Sequence, residues 1–196
     1  MLNKVSTLLA KKLAENLGEE KEEIYIYGFE LIISTFLGLA SIMLFSGFMS
    51  EVLSGIVFFL VFIPLRLFAG GYHATTYGKC FIISNLSYMI ILFLKNITWE
   101  IVPIEAWFVI LIAMSFYIAK HAPVLNASQP INEYKQNRSR KIAMVILSLD
   151  ILWISYLALK QKEMMCMAIL SICLIFVFML ITDKSIDSHF EEKGGY

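Results

Sequence analysis

Charge is scarce in this sequence. Only 16% of its 196 residues are Asp, Glu, Lys or Arg, whereas 59% are apolar, well outside the usual balance of a soluble globular protein. Too few polar side chains remain to cover a water-facing surface. The 16 basic and 16 acidic residues cancel and form no basic stripe, so nothing draws in a phosphate backbone and no nucleic-acid partner is expected. Gly-rich phosphate loops are absent. The 3 cysteines form no CxxC pair, and no HExxH or clustered His/Cys motif offers metal-ligand spacing, so no metal or cofactor is expected. The first twenty residues alternate charge with apolarity and lack a continuous apolar stretch, so no cleavable signal peptide is expected. No convincing repeat or low-complexity segment is present. What is left is a one-domain integral membrane protein.

Crossing a hydrocarbon core takes about 20 apolar residues, and the apolar runs supply six candidates. They are Ile24–Met49, Val52–Phe68, Phe81–Leu94 with a few flanking residues, Ile104–Ala119, Ile142–Leu159 and Met164–Ile181. Several are short, which calls for tilt, snorkelling flanks or a thinned bilayer. Very tight hairpins are expected between the first and second spans and between the fifth and sixth. The fold class is therefore all-α and polytopic, with about six transmembrane helices. Residues 24–181 form the membrane domain, and 182–196 form a cytoplasmic tail.

Lysine and arginine placement orients the bundle. With the N-terminus inside, all of the 16 basic residues except Lys95, Lys160 and Lys162 fall on the cytoplasmic side. Both termini are then cytoplasmic in a multi-pass membrane protein. Ahead of the spans, Leu2, Val5, Leu8, Leu9, Leu13 and Leu17 recur at helical spacing, with Lys4, Lys11, Lys12 and Glu15 largely opposite. Residues 1–23 read as an amphipathic helix on the inner leaflet, or a cap on the cytoplasmic loops, followed by a charged hinge.

Where the second span ends, the sequence runs Arg66–Leu–Phe–Ala–Gly70–Gly71–Tyr72–His73 and continues to Cys80. A histidine and a cysteine are the minimum set for a thiolate nucleophile and its base. Seven residues on a straight helix would hold them about 10 Å apart, too far to cooperate. Gly70–Gly71 and Gly78 supply breaks, and Thr75 or Thr76 can cap a new helix into the third span. Cys80 would then sit near a helix N-terminus and Lys79, both of which stabilise negative charge on sulfur. On spacing alone, an interfacial histidine and a small residue opening a span are the more ordinary reading. Cys166 and Cys173 share the spacing inside an apolar helix and read as lipid-facing or packing residues. His121 and His189 fall in polar loops. Glu30 and Asp150 lie within spans, where carboxylates are usually partnered, and read mainly as interhelical polar contacts.

The string Arg66-x3-Gly70–Gly71–Tyr72–His73–Ala74-x5-Cys80 resembles the signature of the accessory gene regulator protein B family. Ala122–Pro123, followed by Asn126 and Gln129–Pro130–Ile131, is similar to that family's Ala-Pro…Asn-Lys-Pro-Ile stretch, with Gln129 where lysine is usual. The family comprises polytopic membrane cysteine endopeptidases that process quorum-sensing peptide precursors. The resemblance implies a catalytic segment over 66–80, with His73 and Cys80 as base and nucleophile. Arg66, Gly70 and Gly71 would support them.

It further implies cleavage of the C-terminal part of a precursor through a Cys80 thioester, then cyclisation to a thiolactone or lactone. The implied partners are membrane lipids, a second copy of the chain, and a short peptide with an amphipathic leader and an acidic C-terminal tail. Lys135, Arg138, Arg140 and Lys141 can attract that tail, although the same charges serve as ordinary orientation determinants. Six spans with intramembrane carboxylates also suit a transporter or export component, and the cysteine suits a membrane thiol acyltransferase. Neither alternative needs Arg66, the glycine pair, His73 and Cys80 together.

Overall fold

A computed structural model describes residues 22–71, 76–124 and 133–193. The amphipathic helix expected ahead of the spans falls on residues outside the described ones. Among the described residues six helices make up the bundle: α1 (Glu22–Phe48), α2 (Val52–Ala69), α3 (Tyr77–Ile101), α4 (Ile104–His121), α5 (Glu133–Lys160) and α6 (Lys162–Lys193). Each is long and apolar enough to cross a membrane. Among the described residues there is no strand, only an isolated bridge between Gly70 and Val124. The protein is a multi-pass membrane protein.

Helix α6 is the hub. It packs against α2, α3, α4 and α5, and Met164 to Ile172 are all buried. Helix α1 is peripheral and lies on α2 and α3. It is held there by small and polar residues, as membrane interfaces favour. Ser41 Oγ donates to Asn85 Oδ1 at 2.8 Å, and the buried Ser46 and Tyr88 hydroxyls hydrogen-bond at 2.6 Å. A Cβ on Gly55 would come within 2.5 Å of Ser46 Oγ, so glycine permits this close crossing.

The tight hairpins are present: α1 ends at Phe48 and α2 begins at Val52, and Gln161 alone separates α5 from α6. Other limits differ from expectation for physical reasons. Helix α3 runs on past Leu94 because Lys95 does not end the apolar span. Its side chain is fully buried, with Nζ donating to Glu51 Oε1 at 2.8 Å, to Ser54 Oγ at 3.3 Å and to Glu163 Oε1. Helix α5 starts at Glu133 rather than Ile142 because its polar opening turns are rich in good helix formers. The backbone of α6 continues through residue 193, so the segment after 181, including residue 189, is helical. His121 also lies on a helix: it closes α4, stacked on Tyr117 at 4.0 Å between ring centroids.

Candidate active site

The glycine pair is shaped by what surrounds it. Gly70 caps α2 at φ 78°, and its N–H bonds the Arg66 carbonyl at 3.1 Å. A Cβ there would collide with the Val124 carbonyl oxygen. Gly71 follows at φ 111°, where a Cβ would meet the backbone of Phe178 and Met179 at 3.3–3.4 Å. Both φ values lie in the region L side chains avoid. The chain leaves α2 by passing between the segment after α4, where Gly70 has room for hydrogen only, and the backbone of α6, which a Cβ on Gly71 would crowd.

That segment includes Ala122–Pro123 of the second sequence match. The Val124 N–H donates to the Ala69 carbonyl at 3.0 Å, making the parallel bridge with Gly70. Two stretches of the chain more than 50 residues apart thus meet at one end of the bundle.

The break before Cys80 is real, but Gly78 does not make it. Helix α2 ends at Ala69 and α3 starts at Tyr77, capped by Thr76, whose Oγ1 accepts the Lys79 N–H at 3.4 Å. Gly78 sits inside the first turn of α3 with open space where its Cβ would be. Cys80 falls at the end of that turn, its N–H bonded to the Thr76 carbonyl at 3.0 Å. It is a free, exposed cysteine. It also borders a cavity of about 180 Å³ among α1, α2 and α3, whose walls include Gly38, Leu39, Phe59, Phe62, Ile63 and Phe81.

Arg66 points across the same end. Its guanidinium carbon lies 4.5 Å from the Phe178 ring centroid and 5.5 Å from that of Phe62, a cation–π arrangement on two faces. It is also close enough to interact electrostatically with Cys80. Arg66, Gly70, Gly71 and Cys80 thus lie at the same end of the bundle, whereas His73 lies outside the described residues. Lys135, Arg138, Arg140 and Lys141 are exposed on the opening turns of α5 rather than on a loop. Arg140 Nη2 donates to the Ala119 carbonyl at 3.3 Å, tying α5 to α4.

The sequence match that this geometry organises extends well beyond it. The family described as Accessory gene regulator B matches residues 3–181. The chain belongs to that family. Two AgrB-like proteins of Clostridium perfringens are similar to it. The protein from strain 13 is 27% identical and that from strain SM101 is 26% identical, each over 158 residues covering 76% of this chain and 73% of the relative. No solved structure matches. Membership in the AgrB family supports a role in the agr quorum-sensing system.

Other residues singled out in the sequence behave differently. Cys166 is fully buried, with Sγ 3.6 Å from Thr98 Oγ1, so it packs between helices rather than facing lipid. Asp150 is buried, and its Oδ2 has no hydrogen-bond partner among the described residues. The nearby Ser148 and Ser155 bond carbonyls of their own helix. Sequence reasoning missed Phe178 and Met179, since nothing sets them apart in an apolar run. It also missed the Glu51–Lys95–Glu163 cluster. A lysine interrupting a span, with carboxylates at two span ends, was the available signal.

Proposed function

We propose that this AgrB-family protein is a membrane cysteine endopeptidase that cleaves a pheromone precursor and cyclises it through a thioester on Cys80. The observation that carries the reading is the placement of an exposed, free thiol at the first turn of α3, in electrostatic reach of Arg66 and on the lining of a cavity. A structural cysteine has no need of that combination.

In this mechanism His73 takes the proton from Cys80 Sγ, and sulfur attacks the scissile carbonyl. The C–N bond breaks as His73 returns the proton to the leaving amine. The N-terminal part of the precursor stays on Sγ as a thioester. A cysteine thiol or serine hydroxyl within the precursor then attacks that carbonyl, closing a thiolactone or lactone and restoring the Cys80 thiol. A membrane-embedded cleft keeps water from the thioester long enough for ring closure. The reaction would occur on the cytoplasmic face, where the positive-inside distribution puts this end of the bundle. Lys135, Arg138 and Lys141, exposed on α5, would attract the acidic tail of the substrate.

The test uses a precursor whose internal nucleophile is replaced by alanine, so that ring closure is blocked. Mass spectrometry of the purified protein in liposomes should then find Cys80 carrying the N-terminal fragment. Cleavage that proceeds normally in Cys80→Ala would rule the mechanism out.

A further inference from the structure

The cavity beside Cys80 has a size, a lining and a position, and together they specify an occupant. We propose that it is the subsite for the side chain of the precursor residue whose carbonyl is acylated, and that it selects one large apolar side chain. This rests on the peptidase reading of Cys80.

Position comes first. Cys80 is itself part of the lining. An acyl group on its sulfur has its α-carbon next to the thioester carbonyl, so the side chain on that carbon starts at the cavity mouth. Size follows. The volume is about 180 Å³, and an engineered cavity of about 150 Å³ lined by Leu, Ile and Phe holds a benzene molecule. One phenylalanine- or leucine-sized side chain fits, and two do not. The lining decides the chemistry. Leu39, Phe59, Ile63 and Phe81 supply apolar surface, and none of the lining residues is charged. No lining residue offers an ionised side chain a counter-charge, and its burial among these mostly apolar walls is disfavoured.

Gly38 shows how the space is kept open. Glycine in a helix interior is less favourable than alanine, so such a position invites a packing reason. At Gly55 that reason is the approach of Ser46 Oγ, but at Gly38 a Cβ would meet nothing within 4 Å. No neighbouring element requires the missing side chain. What its absence leaves is the α1 wall of the cavity.

The experiment measures kcat/KM in liposomes for precursors carrying Trp, Phe, Leu, Ala or Asp at the acylated residue. Wild type should favour Phe or Leu over Ala by about 10–200-fold, the range a hydrophobic pocket achieves, and reject Asp. Gly38→Leu, whose Cβ would meet nothing within 4 Å and whose side chain takes up space at this wall of the cavity, should collapse the Phe-to-Ala ratio at least about tenfold. Phe59→Ala, which enlarges the cavity, should shift preference toward Trp. The ratio of Cys80 alkylation by a benzyl-bearing haloacetamide to that by iodoacetamide should fall in Gly38→Leu as well. Cleavage that continues with unchanged ratios in both variants would overturn the subsite and leave the peptidase standing. The cavity would then hold a lipid chain. If wild type cleaves no precursor and Cys80 forms no adduct, the peptidase reading fails and takes this assignment with it.

Discussion

The Val124 amide donates to the Ala69 carbonyl at 3.0 Å, pinning the segment after α4 to the last turn of α2. This one contact fixes the exit of the chain toward Cys80. It presses the Val124 carbonyl against Gly70 so closely that a methyl group has no place there. The glycine pair is thus a packing requirement set by a distant part of the sequence, beyond its role as a helix stop.

Gly70→Ala should therefore damage the site by two routes, a strained φ and a collision with backbone that cannot step aside. With ψ at -150°, Gly70 occupies a backbone region open essentially to glycine alone, where another residue costs about 1–3 kcal/mol, and the collision adds to it. We expect precursor cleavage to fall by more than about tenfold with the protein still inserted. Gly71→Ala should be milder, because its Cβ would stand 3.3–3.4 Å from the nearest atoms of α6. Thermal unfolding of both variants in detergent, read beside their cleavage rates, checks the order.

Arg66 should not tolerate lysine. Its planar guanidinium faces the Phe178 and Phe62 rings while remaining in electrostatic reach of Cys80, and an ammonium cannot reproduce that stacking. Arg66→Lys should lose about tenfold in cleavage, since cation–π contacts away from water reach about 2 kcal/mol. Phe178→Leu should lose part of the same effect. Additive losses in the double variant would argue that the two residues act independently.

Near the other end of the bundle, Lys95 is fully buried between Glu51 and Glu163. Removing it with Lys95→Met leaves two facing carboxylates. We expect roughly 2–3 kcal/mol of destabilisation, below the range for wholly buried pairs because both carboxylates reach water. Partial burial pushes the Glu51 carboxyl up, but hydrogen bonds from Lys95 and Ser54 and the charge of Lys95 outweigh it. The group is held below its ordinary value. Its stabilisation is present above the ordinary carboxylate pKa and is lost as pH falls through the lowered one. The melting temperature should drop across that acidic range in wild type, and Glu51→Gln should flatten the drop while lowering stability at neutral pH.

Much of this was legible in the residues, because the bilayer imposes a length rule that apolar runs reveal directly. Spans bounded by turns, such as Val52 to Phe68, were placed to within a residue or so. Limits set by tertiary contacts were not. Leu94 marked the apparent end of a span only because the partners of Lys95 lie on other helices, and α5 opens in polar turns that no hydropathy count admits. At the site, Arg66, Gly70, Gly71 and Cys80 were visible as a string. That Gly70 faces Val124 and Gly71 faces Phe178 depends on packing of residues far apart in sequence, and the cavity beside Cys80 depends on where α1 leans.

The most direct measurement is precursor cleavage in liposomes by a Cys166→Ala/Cys173→Ala protein, before and after alkylation of its remaining thiol. Cys173 is partly exposed and Cys166 is packed in the core, so both replacements should leave cleavage close to wild type. Cys80→Ser should be nearly inactive, because an alcohol gives up its proton far less readily than a thiol. Alkylation of Cys80 should abolish cleavage in proportion to the fraction modified. Full activity with Cys80 completely alkylated would contradict the thioester mechanism and favour a non-enzymatic role in export.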